Sequence, residues 1–275
     1  MEELLKLEQV SFSYEEDRPA LENVTLALHR GERLAVLGEN GAGKSTFFLC
    51  CNGVLTPRQG RVLLHGQPVG RGRADLARLR QAVGLVFQDP DAQIVAGTVE
   101  SEVSFGPMNL GLDDGQARPL VEEALGQMRL QDFRSRAPQY LSGGEKKRVS
   151  IADILAMKPE VILFDEPTSS LDPSSVALLE QTLDELAGKD LSLVVSTHDI
   201  DFAWRWARRV VVFTKGRIAA DGAPEAVFAD RALLQSAGLR RPLLYEAASQ
   251  LALKNSRLAG RPLPRSIQDW PAYIG

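Results

Sequence analysis

The stretch RLAVLGENGAGKST (33 to 46) constrains this chain more than any other. Within it Gly38-Glu39-Asn40-Gly41-Ala42-Gly43-Lys44-Ser45 fits G-x-x-x-x-G-K-[ST]. The apolar run before it reads as a buried strand of a parallel sheet, and KSTFFLCCNGVL (44 to 55) after it reads as a helix. Each part has a chemical reason. Glycines let the backbone curl until successive N–H groups face phosphates, and the helix beginning near Lys44 adds the positive end of its dipole. Lys44 reaches the β- and γ-phosphates, the Ser45 hydroxyl ligates Mg²⁺, and Thr46 adds an α-phosphate contact. A chance glycine turn would explain the loop, but not strand, loop and helix standing in that order.

The bulk properties narrow the setting. Lys and Arg number 32 against 36 Asp and Glu, a net charge of -4, which argues against a sequence-independent nucleic-acid binder working by phosphate neutralisation. The two cysteines, Cys50 and Cys51, are adjacent, a spacing poorly suited to a bridge, and read as buried thiols of a reducing compartment. The N-terminus MEELLKLEQV lacks the basic-then-apolar order of a secretory signal, and no uncharged apolar run reaches membrane-spanning length. A cytoplasmic chain is predicted, one that can still sit on a membrane protein without a span of its own.

Along the chain, LKLEQVSFSY and VTLALHRGERLAVL alternate as strands of a sheet with one wet face, joined by the turn-forming EEDRPA. TPRQGRVLLHGQPV reads as turn, strand, turn, strand; DLARLRQAV is a short helix leading into the strand GLVFQ (84 to 88). From Asp89 to about Lys158 the pattern turns helical, with Val121, Ala124, Leu125 and Met128 on one stripe, so a helical subdomain is expected between strands. Alternation of strand and helix then resumes: EVILFDEP, a helix with Val176, Leu179, Leu183 and Leu186 inward, LSLVVSTHD, the helix DIDFAWRWARR and the hairpin VVVFTKGRIAADG. Residues 226–275 form a helical, then Pro-rich extension of undisclosed role.

Further residues join the phosphate loop at strand ends, where open α/β sheets bind ligands. Asp165 and Glu166 follow VILF: Asp165 is placed to hold Mg²⁺ through water, and Glu166 to polarise an attacking water. His198 and Gln88 lie just past two more strands, suited to a γ-phosphate contact and to a metal or water ligand respectively. LSGGEKKR (141 to 148) resembles a second phosphate cradle. Ser142-Gly143-Gly144-Glu145 fits the capping box S-x-x-E, and a capped helix N-terminus with two glycines at its tip is itself an anion site.

With these pieces in this order, residues 5 to 225 resemble the ATP-binding subunit of ABC transporters. GENGAGKST looks like the family's Walker A, Gln88 its Q-loop, LSGGEKKR its signature, VILFDE its Walker B, SSLD with Asp172 its D-loop, and His198 its switch histidine. Tyr14 matches the aromatic that stacks on adenine. Glu145 departs from the glutamine often found at its position, which leaves its own contact in doubt. The resemblance implies a P-loop NTPase fold with an N-terminal antiparallel β subdomain, a RecA-like core and an inserted helical subdomain, with the ATPase domain over 1–225. It implies that Ser142, Gly143, Gly144, Glu145 and Asp172 serve ATP held by a second subunit, a head-to-tail dimer. VFQDPDAQIVAGTVESEVSFGPMNLGL (86 to 112) narrows the likeness to energy-coupling-factor importers, the cobalt importer ATPase above all, with nickel or vitamin importers as alternatives. Expected partners are then a second ATPase subunit, an integral membrane coupling subunit and a substrate-binding membrane subunit, with no nucleic acid, at the cytoplasmic face of the membrane. The competing class, a soluble ABC ATPase acting on nucleic acid, typically has paired cassettes, spaced cysteines or a coiled coil, none of which this sequence contains.

Overall fold

The computed structural model describes residues 2–15, 18–188 and 191–275. The chain opens with two long strands, β1 (Glu3–Glu15) and β2 (Arg18–His29), paired antiparallel. Of the stretch EEDRPA, where a turn is expected, residues 16 and 17 lie outside the described residues, while Arg18, Pro19 and Ala20 already belong to β2. β3 (Arg33–Leu37) leads into α1 (Lys44–Cys51), which stops short of the expected Leu55. The cause is local: Asn52 caps the helix, Gly53 takes φ +70°, and the Val54 N–H returns to Leu49 O at 2.9 Å.

Then come β4 (Gln59–Leu64), β5 (Gln67–Pro68), α2 (Arg73–Ala82) and β6 (Val83–Val86). The helical stretch holds α3 (Val99–Asn109), α4 (Asp114–Gln127) and α5 (Gly143–Ala156). β7 (Val161–Asp165), α6 (Pro173–Ala187), β8 (Ser192–Ser196), α7 (Ile200–Trp206), β9 (Arg209–Thr214) and β10 (Arg217–Gly222) follow in alternation. The chain closes with α8 (Pro224–Ala229), α9 (Arg231–Ser236), α10 (Leu243–Lys254) and α11 (Trp270–Ile274).

β2-β1-β4-β5 form a four-stranded antiparallel sheet and β10-β9-β3-β8-β7-β6 a six-stranded one, parallel from β9 to β6. Apolar residues of the large sheet alternate between two cores. Leu34 and Val36 of β3 face α1 and the antiparallel sheet, whereas Ala35 and Leu37 face the helical layer, so the strand is buried on both sides as its unbroken apolar run requires. Because β3, β8 and β7 are neighbours, their C-terminal tips put Gly38, Thr197 and Asp165 along one edge.

The boundary drawn at 225 does not divide the core. Val227 and Phe228 of α8, Leu234 of α9 and Tyr245 of α10 join the same cluster as the helical layer. They close over Trp204, whose ring meets Phe228 and Tyr245 edge-on at 6.0 and 5.1 Å. The last segment adds a small cluster of its own, Ala248, Leu258 and Tyr273. No helix among the described residues is long and apolar enough to cross a membrane.

Candidate active site

Two glycines fix the phosphate loop. A Cβ on Gly38 (φ +146°) would stand 2.4 Å from Phe213 O, and one on Gly43 (φ +108°) 2.6 Å from Ala20 O. Both positions need glycine for conformation and for space. Gly43 caps α1 without any side-chain bond, leaving the first N–H groups of the helix to a ligand. Lys44 is buried, its ammonium donating to Gly38 O at 2.7 Å and Glu39 O at 3.1 Å. Burial lowers its pKa, opposed by the charges of Glu166 and Asp165.

A cleft of about 540 Å³ opens over this loop. Tyr14, Asn40, Gly41, Gly43, Lys44, Ser45, Thr46, Gln88 and Glu166 line it together, although they come from four separate parts of the sequence. Gly38, Glu39 and Ala42 shape the loop without lining the cleft. Tyr14 is 61% exposed, stands edge-on to Phe12 and places its hydroxyl 3.3 Å from Thr46 Oγ1, which leaves a ring face open at the mouth. Glu15, Arg18, Pro19 and Ala20 also line the cleft, although the sequence reading left them in a turn. Their signal was the pairing of β1 with β2, which sets Glu15 opposite Arg18 beside Tyr14.

At the floor Asp165 accepts from Ser196 Oγ at 2.5 Å. Ser196 escaped the sequence reading as well. It holds both acidic residues, since its Oγ also accepts from the Glu166 N–H at 2.9 Å. That bond helps fix Glu166 at φ +41°, a left-handed conformation that costs a residue with a Cβ about 1–3 kcal/mol. The Glu166 carboxylate lies 3.8 Å from Lys44 Nζ and 3.4 Å from His198 Nδ1. His198 is otherwise exposed, at the rim. Gln88 donates to Ser169 Oγ at 3.2 Å, linking it to the segment before Asp172. Its strand is shorter than the expected GLVFQ, because β6 ends at Val86 and the carbonyls of Phe87 and Gln88 turn to the Lys147 ammonium.

Ser142, Gly143, Gly144, Glu145 and Asp172 do not line this cleft. They form a separate surface at the start of α5 and α6. The capping box is present: Glu145 N–H donates to Ser142 Oγ at 3.3 Å, and Ser142 N–H to Glu145 Oε2 at 2.7 Å. That backbone bond is the main reason the Glu145 pKa is lowered. Asp172 caps α6, its carboxylate accepting from Ser174 and Ser175, and those bonds hold its pKa down. Cys50 and Cys51 are buried in α1, and burial pushes the Cys50 thiol up to about 12.

A parallel sheet with a phosphate loop after β3, two acidic residues at the tip of β7 with β8 between the two strands, and an inserted helical layer ending in a second helix with a capped, glycine-tipped N-terminus define an ABC-type ATPase. The ABC transporter family model matches residues 21–169. The cobalt import ATP-binding protein CbiO of Rhodobacter capsulatus is 48% identical over 97% of this chain and 93% of its own. An energy-coupling factor transporter ATP-binding protein of Methanospirillum hungatei is 45% identical over 98% of this chain and 67% of its own. Among solved structures, cbiO1 of Clostridium perfringens, part of the ABC transporter complex cbiONQ, superposes with a TM-score of 0.76 at 34% identity, covering 94% of this chain and 98% of that one. A dimeric bacterial ABC transporter cassette gives 0.72 at 28% identity, covering 80% and 99%. The chain belongs to the ATP-binding, ATP-hydrolysing subunits of ABC transporters, in their energy-coupling-factor branch.

Proposed function

We propose that this chain energises uptake of a transition-metal ion, cobalt, as a head-to-tail homodimer on the cytoplasmic face of a membrane importer. One observation supports the dimer: the capped N-terminus of α5 at Ser142, Gly143 and Gly144 lies outside the cleft lined by this chain's own phosphate loop. A second copy, turned to face the first, brings its γ-phosphate there.

Within each site Lys44 exchanges its loop carbonyls for the β- and γ-phosphates, and the open N–H groups of α1 take the remaining oxygens. Thr46 contacts the α-phosphate, and the Tyr14 ring stacks on adenine, a contact worth about 1–3 kcal/mol per base in nucleic-acid systems. Ser45, Gln88 and Asp165 offer the hard oxygen donors that suit Mg²⁺, and Asp165, with one oxygen engaged by Ser196, keeps the other for a metal-bound water. Held by these residues, Mg²⁺ would supply positive charge that offsets the negative charge of the phosphates. Glu166 accepts the proton of the attacking water, and His198 at the rim contacts the γ-phosphate. Asp172 braces the partner's nucleotide through the α6 cap.

Coupling to the membrane runs through a groove of about 870 Å³ next to Gln88, whose walls include Phe87, Phe105, Leu110, Asp153 and Met157. A helix of the integral membrane coupling subunit seats there, and the substrate-binding membrane subunit selects the ion. The cobalt assignment rests on the likeness to CbiO proteins. It is tested by purifying the tagged chain from detergent-solubilised membranes and reconstituting what comes with it. The expected result is an integral membrane partner and ATP-dependent accumulation of Co²⁺ over Ni²⁺. Recovery without a membrane partner would overturn the importer reading, and Ni²⁺ accumulation in its place would overturn the ion.

A further inference from the structure

α5 does more than present Ser142. Down one side of it, four consecutive points grip the segment 87–93. Lys146 Nζ meets Asp91 Oδ1 at 2.6 Å, and Lys147 Nζ donates to Phe87 O at 2.8 Å and Gln88 O at 2.7 Å. Ser150 O and Asp153 Oδ2 accept from the Gln93 amide at 3.0 and 3.4 Å, while the Gln93 oxygen accepts from the Phe87 N–H at 3.2 Å. The spacing 146/147, 150, 153 is one helical face.

Lys147 is the anomaly in this row. It is 1% exposed, and among the described residues no carboxylate lies within 4.0 Å of its ammonium. A buried cation without a close counter-ion opposes folding unless its hydrogen bonds compensate, and here they go to two consecutive main-chain carbonyls. Holding both fixes the direction in which Gln88 leaves the sheet. Burial lowers the Lys147 pKa to about 8, with Asp89 and Asp165 acting in the other direction. The adjoining cavity, about 440 Å³, is walled by Gln88, Gly143, Lys147 and Ser169, so Lys147 lies between Gln88 and the start of α5.

We infer that Lys147 is a positioning residue that ties the Gln88 main chain to the helix whose N-terminus receives the partner's nucleotide. Filling the Ser142 half-site on one face then sets Gln88 in the same chain's own cleft, and the two nucleotide sites of the dimer act in concert. This rests on the dimer reading above, which stands or falls separately on Ser142→Arg.

The test is ATP turnover by the full-length chain. Lys147→Met removes the donors and keeps most of the unbranched apolar stem. It is expected to lower kcat about tenfold, bring the Hill coefficient for ATP to about one, and leave the Kd for ATP within about twofold. Lys147→Gln, with two N–H donors, restores kcat to within about threefold of wild type. Because Lys147 acts through Gln88, its effect disappears in a Gln88→Ala background: the double variant turns over no slower than Gln88→Ala alone. If Lys147→Met fails to fold, the smaller loss in Lys147→Gln takes its place in the same cycle. Wild-type kcat in Lys147→Met, or losses that multiply with Gln88→Ala, would overturn the inference. Unimpaired turnover in Gln88→Ala alone would overturn it too, while leaving the Ser142 half-site untouched.

Discussion

Glu166 sits where a left-handed backbone, a buried ammonium and a rim histidine converge. Replacing it with glutamine preserves shape and removes the proton acceptor. Glu166→Gln is expected to bind ATP with wild-type affinity and lose about two to four orders of magnitude in turnover, while holding the closed dimer longer; single-turnover kinetics and ATP-dependent gel filtration measure both. Asp153 answers to a different pressure. Burial raises its carboxyl to about 7 against an ordinary 3.8, so the folded chain retains a proton that the unfolded chain has lost. Its contribution to stability therefore falls as pH rises from about 4 to about 7. Asp153→Asn should match wild type in urea unfolding near pH 3.5 and exceed it at pH 8, each pKa unit being worth about 1.4 kcal/mol. Some of this was legible from residue types alone. The phosphate loop was, because glycine is demanded by φ and close approach. Lys147 was not: of two adjacent lysines one pairs with Asp91 on the surface and the other is buried under the Gln88 carbonyls, a difference that exists only after packing.

Among the elements α5 was read best, since a capping box is a local code and S-x-x-E sets the helix start without tertiary help. Its Glu145 now has a definite place, folded back on the Ser142 N–H. In the proposed dimer its charge stands beside the half-site that receives the partner's phosphate. Glu145→Gln keeps the reciprocal cap and removes that charge, so ATP-driven dimerisation, followed by analytical ultracentrifugation, should tighten by a few-fold. β6 is shorter than its apolar run suggests because the carbonyls that follow it, of Phe87 and Gln88, are claimed by the Lys147 side chain from a distant part of the sequence. The closing segment was hardest to read, for a similar reason. Trp204 Nε1 donates to Pro264 O at 2.9 Å, and Arg265 lies over the Trp204 ring at 4.9 Å while donating to Ala207 O at 2.7 Å. Pro and Arg in a Pro-rich tail look like linker until the surface they lie on is known. Arg265→Ala should lower the melting temperature by a few degrees, consistent with about 1–2 kcal/mol for a partly buried cation's hydrogen bonds and stacking. An unchanged melting curve would detach the tail from the core.

At the scale of the whole molecule the division of labour follows from where the polar chemistry lies. In the proposed arrangement the nucleotide-handling residues sit at the strand tips of the large sheet, at the end of β1 and at the starts of α1, α5 and α6, and the groove beside Gln88 is assigned to the membrane partner. The order of the motifs made the ATPase legible in the sequence. The separation of the two half-sites did not follow from spacing, because about a hundred residues of chain could as well have folded one loop over the other. The geometry keeps them apart, and the account turns on that separation. It is tested by a dimer purified on two different tags, one chain carrying Lys44→Ala and the other Ser142→Arg. Both lesions then fall in one composite site and the other is whole. The account predicts measurable ATP turnover from this mixed dimer, up to about half of wild type, and none from the Ser142→Arg homodimer. Wild-type turnover by the Ser142→Arg homodimer, or a mixed dimer as inert as either parent, would contradict it.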